Sequence, residues 1–254
     1  MKTTEDRSAM KKNKVVVLCS GGLNSAVVAS LAAVDYQPAL LHVRLGHRAS
    51  KKEDELFDRF ADHMDAGDRL KLELSHFEAI GGNARINRKG MIEDAMAMGE
   101  NPSNCHMPGM IGSLLFAGFS WAWHIGAAKL LLGVSENLGP PAPPTSRIYP
   151  DYSREFIQLC GHAFEVASGK RAIEIETPVI DLGRSEIVRL GQRFGTPFEL
   201  TWSCVAAGDT PCTRCAGCAT RGRGFLDVGI PDPVMLRKKV ASGRRRSVAA
   251  VTNK

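Results

Sequence analysis

Four cysteines near the carboxyl end of the 254-residue chain have the spacing of metal ligands. Seven, two and two residues separate them, and the four are Cys204, Cys212, Cys215 and Cys218. Four thiolates at this spacing can close a tetrahedral shell around Zn²⁺, which leaves no open position for a substrate. Such a site would be structural and would fold the segment around it. Buried free thiols and an iron–sulfur cluster are the alternatives, although the common iron–sulfur spacings differ.

A glycine-containing segment near the amino end has the residues of an anion-binding loop. It follows a β-branched run, precedes an apolar run, and consists of Ser20, Gly21, Gly22, Leu23, Asn24 and Ser25. Two glycines allow successive N–H groups to converge on one point, and a helix N-terminus adds partial positive charge there. The loop therefore predicts a phosphate site. It has no lysine and so is not a Walker A motif, and an ordinary glycine turn between strand and helix is the alternative.

The pattern of apolar residues predicts a doubly wound, mostly parallel α/β sheet that would position both sets of residues. Short apolar runs predict strands at Lys14–Leu18, Pro38–Leu45, Leu70–Leu74, Lys129–Val134 and Ala172–Ile180. Helical spacing, or apolar sequence without breakers, predicts helices at Ala26–Val34, Lys52–Met64, Ile111–Ala127, Arg154–Ala167 and Ser185–Phe194. The segment 81–104 has little periodicity, so we expect it to be mobile or to depend on a ligand. Gly139–Pro144 is typical of an exposed loop.

Positive charge is concentrated at the two ends of the chain. Residues 237–254 hold seven basic and no acidic residues, and residues 1–14 hold five basic and two acidic ones. The body between them carries 21 basic and 25 acidic residues, a net charge of −4, which argues against a nucleic-acid-binding face on the folded part. We expect a polar extension over 1–13, an α/β domain over 14–200, a four-cysteine segment over 201–236 and a solubilising basic tail over 237–254.

Hydropathy predicts the compartment of the protein. No apolar run approaches the roughly 18 residues needed to cross a bilayer, so we expect no membrane-spanning segment. The first 14 residues are polar and lack the apolar region of a secretory signal, so we expect a cytoplasmic protein. In that reducing compartment, clustered cysteines favour a metal over disulfides.

The glycine-containing loop and the four cysteines each belong to a longer segment, and both segments resemble the same family. Ser20–Ser25 is similar to the SGGxDS pyrophosphate loop of the N-type ATP pyrophosphatases. Thr201–Cys204 and Pro211–Cys218 resemble the zinc signature of the 7-cyano-7-deazaguanine synthase family, which belongs to that group. Between them, Tyr149–Asp151 resembles the start of the family's YPDCRPEF, and Ser185–Ile187 resembles part of its KAEI. The resemblance covers nearly the whole chain.

The resemblance implies an adenine nucleotide alpha hydrolase-like fold and an ATP-dependent carbon–nitrogen ligase. Family members activate 7-carboxy-7-deazaguanine as an acyl adenylate and release pyrophosphate; ammonia then gives an amide, and a second ATP drives dehydration to the nitrile. Zn²⁺, ATP and Mg²⁺ are the implied cofactors, and a homodimer is the implied assembly. Asn24, Arg184 and Asp151 are the implied catalytic residues, with Ser20–Ser25 binding the phosphates. A solvated arginine and a turn-capping aspartate are the alternatives for Arg184 and Asp151.

The chain departs from the family where small molecules would bind. Asn24 replaces the Asp of the loop, which removes a charge that would favour Mg²⁺. Met107–Ile111 (MPGMI) stands where the family has VPGRN, so an Arg and an Asn are both absent. Arg184 replaces the Lys of KAEI and offers a planar, bidentate fork instead of a point charge.

These departures leave other functions open. One is a paralogue that transfers the activated deazaguanine to another amine, on a protein or a nucleotide, in a specialised pathway such as defence. Another is a non-catalytic zinc protein that binds a nucleotide. A zinc module that binds nucleic acid through the basic tail is disfavoured by the charge of the body. We expect His47, His106 and His124 to be packed or solvated and not catalytic.

Overall fold

The computed structural model describes residues 12–99, 101–137, 148–169 and 173–236. The predicted exposed loop Gly139–Pro144, the basic tail 237–254 and nearly all of the polar extension 1–13 lie outside these ranges. Within them, no helix is both long enough and apolar enough to cross a membrane.

Five parallel strands form one sheet in the order β3-β2-β1-β4-β5. The strands are β1 (Lys14–Leu18), β2 (Gln37–Arg44), β3 (Arg69–Glu73), β4 (Lys129–Leu132) and β5 (Glu174–Glu176). Val17 of β1 lies in register with Leu40 of β2 and with Leu131 of β4. The central strands read as continuous apolar runs because helices cover both faces of the sheet. The predicted parallel α/β architecture is confirmed.

Seven α-helices that lie wholly within the described ranges surround the sheet. They are α1 (Leu23–Asp35), α2 (Ser50–His63), α3 (His76–Ile80), α4 (Met110–Ile125), α5 (Arg154–Ser168), α6 (Arg184–Arg193) and α7 (Ala216–Val228). One face of the sheet packs on α4 and α5 through residues such as Leu115 and Phe164. The other packs on α1, α2, α6 and α7 through residues such as Phe57 and Phe225. This two-sided cover is the doubly wound arrangement that the sequence predicts.

The structure differs from the predicted elements in three main details, the first of which is the short helix α3, which was not predicted. The strand predicted over Ala172–Ile180 is much shorter, because only Glu174–Glu176 pairs with β4 and the chain then turns at Pro178. Proline has no N–H to donate to a sheet, so the edge strand ends before it. Helix α7 was not predicted, because its apolar residues are few and its spacing is interrupted by the glycines Gly217, Gly222 and Gly224. The segment 81–104 has no helix or strand in its described part, in agreement with its lack of periodicity. That it is mobile or depends on a ligand stays a prediction.

The order of the strands places a crevice beside β1. The chain passes from β1 to β2 and β3 on one side and then returns to add β4 and β5 on the other. In such sheets, ligands bind in the crevice outside the carboxyl ends of the strands where the order reverses. Ser20–Ser25 directly follows β1 and therefore lies at this position.

Gly133, directly after β4, allows that strand to end against the start of α1. A Cβ at position 133 would lie 2.8 Å from the backbone nitrogen of Ser25 and 2.9 Å from the carbonyl carbon of Asn24. These are backbone atoms of the glycine-containing loop, so they cannot move aside as a flexible side chain could. Gly133 therefore fixes the distance between the carboxyl end of β4 and the loop.

We predict that Gly133→Ala lowers the free energy of unfolding by about 1–3 kcal/mol, because the added methyl group overpacks a backbone contact. Gly222→Ala in α7 is the matched control: nothing lies within 4 Å of a Cβ there, and removing a helix-interior glycine stabilises by about 0.5–1 kcal/mol. Urea unfolding of both variants measures the difference. Equal stabilities would show that the contact at Gly133 is not tight.

Candidate functional site

The loop after β1 presents an open helix N-terminus to the crevice. Gly21 has a φ of +77°, and Gly22 is the N-cap of α1 without a side-chain capping bond. The first turn of α1 carries no acidic residue, so its free N–H groups and its dipole remain available to an anion. The Ser25 hydroxyl donates to the Gly22 carbonyl at 3.0 Å and thereby holds the turn. The geometry is that of an anion-binding loop.

The crevice has two adjacent lobes that share lining residues. The first lobe, of about 320 Å³, lies over the loop and the carboxyl ends of β1, β2 and β4. The second lobe, of about 360 Å³, lies between the segment 95–107, residues 148–152 and the start of α7. Seven residues line both lobes: Arg85, Met110, Tyr152, Arg184, Ser203, Val205 and Gly217. Together the two lobes are large enough for two small molecules whose reactive ends meet at this junction.

Arg184 brings a positive charge to the junction of the two lobes. It is the first residue of α6, whose start is fixed by the Gly183 N–H donating to Glu186 at 2.7 Å. Its guanidinium donates to the Asn24 side-chain oxygen, 160 positions away in the chain. Burial, with a smaller contribution from Arg221, lowers the pKa of Arg184 to about 10.

No carboxylate accompanies Arg184 in the part of the chain that the structure describes, and its Nε has no hydrogen-bond partner. A buried cation is costly unless an opposite charge pairs with it. A bound anion between the loop and Arg184 would supply that charge. The structure thus brings together Asn24 and Arg184, two of the three residues that the sequence analysis proposed as catalytic.

A second cation at the junction, Arg85, was not predicted from the sequence. Its guanidinium lies 3.4 Å from His47 and 3.9 Å from Glu53, and its Nε is buried without a partner. His47 is 2% exposed and pairs with Glu53 at 3.0 Å. Burial opposes the charge of Glu53, but His47 and then Arg85 hold the pKa of that carboxyl below its usual range. Arg85 lies in the aperiodic segment 81–104, where no pattern marks a functional side chain.

The second lobe is lined mainly by apolar and aromatic side chains. Met107 and Met110 of the altered MPGMI segment both line it, with Tyr149 and Tyr152. Burial raises the pKa of the Tyr152 phenol. A flat aromatic molecule suits such walls, because rings stack against tyrosine and thioether groups favourably. Two of the residues that depart from the family sequence, Met107 and Met110, therefore line the second lobe.

Asp151 lies apart from the first lobe. Its side chain is 9% exposed and lies 3.9 Å from His106, and neither carboxylate oxygen has a hydrogen-bond partner. It lines a third cavity, of about 510 Å³, outside the segment that ends at Met110. The structure therefore does not bring Asp151 together with Asn24 and Arg184.

The four cysteines Cys204, Cys212, Cys215 and Cys218 converge as the spacing predicts. Their sulfur atoms all lie within 4.8 Å of one another, and Sγ of Cys212 lies 3.9 Å from Sγ of Cys218. Zn–S bonds of about 2.3 Å in a tetrahedron place sulfurs about 3.8 Å apart. Hydrogen bonds with Cys204 and Cys218 lower the pKa of Cys215. The donor set and its dimensions fit a tetrahedral metal ion.

The cysteine segment is attached directly to the loop. The backbone N–H of Trp202 donates to the Gly21 carbonyl at 2.7 Å, and Ser203 and Val205 line both lobes. Helix α7 begins inside the cysteine cluster, and a Cβ at its Gly224 would lie 2.3 Å from the Arg184 side chain. The four-cysteine segment therefore forms one wall of the crevice and packs against the Arg184 side chain.

A buried ion pair closes this segment. Arg221 of α7 is 2% exposed and donates to both carboxylate oxygens of Asp232, at 2.7 and 2.9 Å. It also donates to the Thr201 hydroxyl at 2.7 Å and to the Phe198 carbonyl at 3.2 Å. Every arm of the guanidinium is thus satisfied inside the protein, which distinguishes Arg221 from Arg184.

The chain is similar in sequence to one protein family over most of its length. Residues 14–229 match the family model described as "Queuosine biosynthesis protein QueC". A 7-cyano-7-deazaguanine synthase from Acidobacterium capsulatum is 33% identical over 88% of this chain and 96% of its own. Another from Koribacter versatilis is 34% identical over 90% of this chain and 95% of its own. An NMN synthetase structure from Francisella tularensis is 11% identical, with a TM-score of 0.45, over 95% of this chain and 87% of its own.

We predict that Cys212→Ser loses the bound metal and unfolds the segment from Trp202 to α7, because three thiolates leave the tetrahedral shell incomplete. Elemental analysis by mass spectrometry and thermal unfolding measure both effects, and the element identified separates Zn²⁺ from an iron–sulfur cluster. Cys160→Ala is the matched control, because Cys160 is buried in the core on α5, outside the four-cysteine cluster, and should leave the metal content unchanged. A Cys212→Ser protein that is folded, soluble and metal-free would contradict the prediction.

Proposed function

The chain belongs to the family of the queuosine biosynthesis protein QueC, and from this premise we propose that it uses ATP to adenylate the carboxylate of a 7-deazaguanine acid. The related proteins are named 7-cyano-7-deazaguanine synthases. The alignments cover 95–96% of the length of these relatives, so the similarity extends over the whole architecture. The observation that carries the proposal is the partly buried Arg184 guanidinium, which has no carboxylate partner among the described residues and donates to Asn24 of the anion-binding loop.

The phosphates of ATP would bind in the first lobe. Ser20, Gly21, Gly22, Leu23, Asn24 and Ser25 form the loop at the N-terminus of α1, where N–H groups and the helix dipole stabilise negative charge. Arg184 adds a full positive charge on the same side. Asn24 would orient Arg184 without neutralising it, so the cation stays available to the phosphates. An Asp at position 24 would compete with the phosphates for this guanidinium.

The acid would bind in the second lobe with its carboxylate at the junction. Arg85 and Arg184 both line the junction, so a carboxylate and an α-phosphate, which repel each other in water, can meet between two guanidinium groups. A carboxylate oxygen would attack the α-phosphorus, the bond to the β-phosphate oxygen would break, and pyrophosphate would leave with the electron pair. The preorganised cations lower the barrier because they stabilise the charge that moves onto the leaving group.

The activated acid would then react with an amine. The nitrogen would attack the acyl carbon, AMP would leave, and an amide would form. With ammonia as the amine and a second ATP for dehydration, the product would be the nitrile, as in the family. Tyr152 and Met110 line the junction, and exclusion of water by these side chains would protect the acyl adenylate from hydrolysis.

The residues of the chain fit a Zn²⁺ site but supply few ligands for Mg²⁺. The four cysteines fit Zn²⁺, which would brace the wall formed by Trp202–Val205 and α7 and take no part in the chemistry. For Mg²⁺, Glu53 is the single carboxylate that lines the first lobe among the described residues, and His47 already pairs with it. We expect Mg²⁺ to enter with ATP and to be held mainly by the phosphates.

A second candidate function is transfer of the activated deazaguanine to an amine other than ammonia. The observation that favours it is the altered segment Met107–Ile111: its Met107, Met110 and Ile111 line the lobes, and the Arg and Asn of the family sequence are absent. The third candidate function is nucleotide binding without catalysis. Asn24 supports it, because the Asp that it replaces would favour Mg²⁺ binding. The products formed from ATP and acid distinguish all three.

We predict that Arg184→Gln weakens ATP binding about 10- to 100-fold, because one charge-assisted contact to phosphate is worth about 1.5–3 kcal/mol. Arg189→Gln, on the exposed face of the same helix, is the matched control and should bind ATP as the wild type does. Isothermal titration calorimetry measures both affinities. An unchanged affinity in Arg184→Gln would remove the phosphate contact from the proposal.

We predict that the wild-type protein exchanges labelled pyrophosphate into ATP only when 7-carboxy-7-deazaguanine is present, because exchange requires a reversible adenylate. Mass spectrometry of the same mixture with added ammonium identifies the product as amide or nitrile. Exchange without either product would favour transfer to another amine. ATP binding with no exchange would leave only the non-catalytic function.

A further inference from the structure

We propose that Glu53 is a further catalytic residue, and that its oxygen Oε1 accepts the proton that the amine loses when it reacts with the acyl adenylate. The inference rests on the proposed function and deepens it, because adenylation itself needs no proton acceptor whereas amide formation does. The N–H groups of the glycine-containing loop and the guanidinium of Arg184 are donors, so the second step requires a group that the phosphate site does not supply.

Glu53 extends from the loop to the junction of the two lobes. It belongs to the first turn of α2, and its backbone oxygen would lie 3.3 Å from a Cβ at Gly21. Its side chain lines the first lobe, and Oε1 lies 3.9 Å from Nη2 of Arg85, which lines both lobes. The carboxylate is therefore next to a residue of the junction at which the acyl carbon would lie.

One carboxylate oxygen of Glu53 is held and the other is free. Oε2 pairs with Nε2 of His47 at 3.0 Å. Oε1 has no hydrogen-bond partner among the described residues, because Arg85 lies beyond hydrogen-bond distance. Unlike Nε of Arg85 and of Arg184, Oε1 is not sealed from solvent, and the whole side chain is 12% exposed. Oε1 can therefore accept a donor from the first lobe.

The carboxylate of Glu53 is ionised at neutral pH. Burial opposes its charge, but His47, Arg85 and His42 together hold the pKa of the carboxyl below its usual range. Such a group is a weak base toward free ammonium. It is sufficient once the nitrogen begins to bond to the acyl carbon, because the nitrogen then shares its lone pair and its N–H groups become much more acidic.

The other described groups that line the two lobes are poorer acceptors. Glu53 is the single carboxylate in either lobe among the described residues. His47 offers no free nitrogen, because Nε2 pairs with Glu53 and Nδ1 is buried. His106 lines the second lobe but not the first and is the remaining rival. Burial raises the pKa of the thiols and phenols that line the lobes, so these stay protonated: Cys19, Cys105, Tyr149 and Tyr152.

In the transfer step, the lone pair of the neutral amine forms a bond to the acyl carbon of the adenylate. The bond from that carbon to the phosphate oxygen breaks, and AMP leaves with its electron pair. The nitrogen gives one proton to Oε1 of Glu53, and the resulting carboxylic acid later returns the proton to water. No oxidant, reductant or further reactant is needed.

The test compares the two half-reactions in Glu53→Gln, which keeps the shape of the side chain but cannot accept a proton. With ATP, 7-carboxy-7-deazaguanine and ammonium chloride, mass spectrometry measures the sum of amide and nitrile, and labelled pyrophosphate measures exchange. We expect product formation to fall about 100-fold more than exchange, because a positioned proton acceptor contributes about 10²–10⁴-fold. Equal losses of the two activities, or no loss of either, would overturn the proposal.

Glu55→Gln is the matched control, because Glu55 is an exposed carboxylate on the same helix and lines neither lobe. It should retain both activities of the wild type. His106→Gln tests the rival acceptor and should also retain product formation. A selective loss of product formation in His106→Gln, with none in Glu53→Gln, would assign the proton to His106 and overturn the proposal.

Chemical rescue tests what the carboxylate of Glu53 does. In Glu53→Ala, added formate can occupy the vacated space and accept the proton, so it should raise the rate of product formation, whereas the same concentration of chloride should not. Extra Mg²⁺ should have no such effect. Restoration of both half-reactions by Mg²⁺ and not by formate would make Glu53 a metal ligand and would overturn its role as proton acceptor.

The activity of the wild type separates this inference from the proposed function. A wild-type protein without pyrophosphate exchange would refute the proposed function and with it the role of Glu53. A wild-type protein that exchanges pyrophosphate and forms product, together with a Glu53→Gln protein that does both equally well, would refute the role of Glu53 alone.

Discussion

The hydrogen bond from the Trp202 N–H to the Gly21 carbonyl joins the two parts of the chain that carry chemistry. Gly21 belongs to the loop after β1, and Trp202 stands two residues before the first cysteine of the metal-binding cluster. Through this bond the metal-binding segment fixes one side of the loop, while the close contact at Gly133 fixes the other. The loop is therefore held between the sheet and the four-cysteine segment, so a metal bound by the cysteines would support the proposed phosphate site without touching a substrate.

The charges of the crevice form a coherent set. Asn24 and Arg184 differ together from the resembling family sequence, and the structure shows that their side chains are hydrogen-bonded. The Asp and Lys of the family at positions 24 and 184 would form an ion pair with no net charge. The Asn and Arg of this chain form a hydrogen-bonded pair with a net charge of about +1. Arg85 adds a second cation at the same junction, next to the segment in which Met110 replaces an Arg of the family. The junction therefore retains two cations although the Arg of the family sequence is absent at Met110.

The local patterns of the sequence were sufficient for much of the fold. The continuous apolar run of β1, the glycines after it and the amphipathic α2 are each determined by neighbouring residues, and all three were predicted within a few positions. Strand β5 was predicted too long, because hydrophobic alternation continues past the point where pairing with β4 ends at the edge of the sheet. Helix α7 was missed because its interior glycines are selected by close packing against Ser203 and Arg184, which no local pattern reveals.

By itself the sequence determined which residues can bind a metal and which can bind a phosphate, since cysteine spacing and a glycine-containing strand–helix turn encode those properties within a short stretch of chain. Only the tertiary structure decided which side chains share a cavity. Arg184 meets Asn24 across 160 positions, Arg85 comes from an aperiodic segment, and Asp151 lies with His106 and away from the loop. Such contacts depend on strand order and helix packing. They join residues that are far apart in the chain, so the local sequence around one residue does not predict its partner.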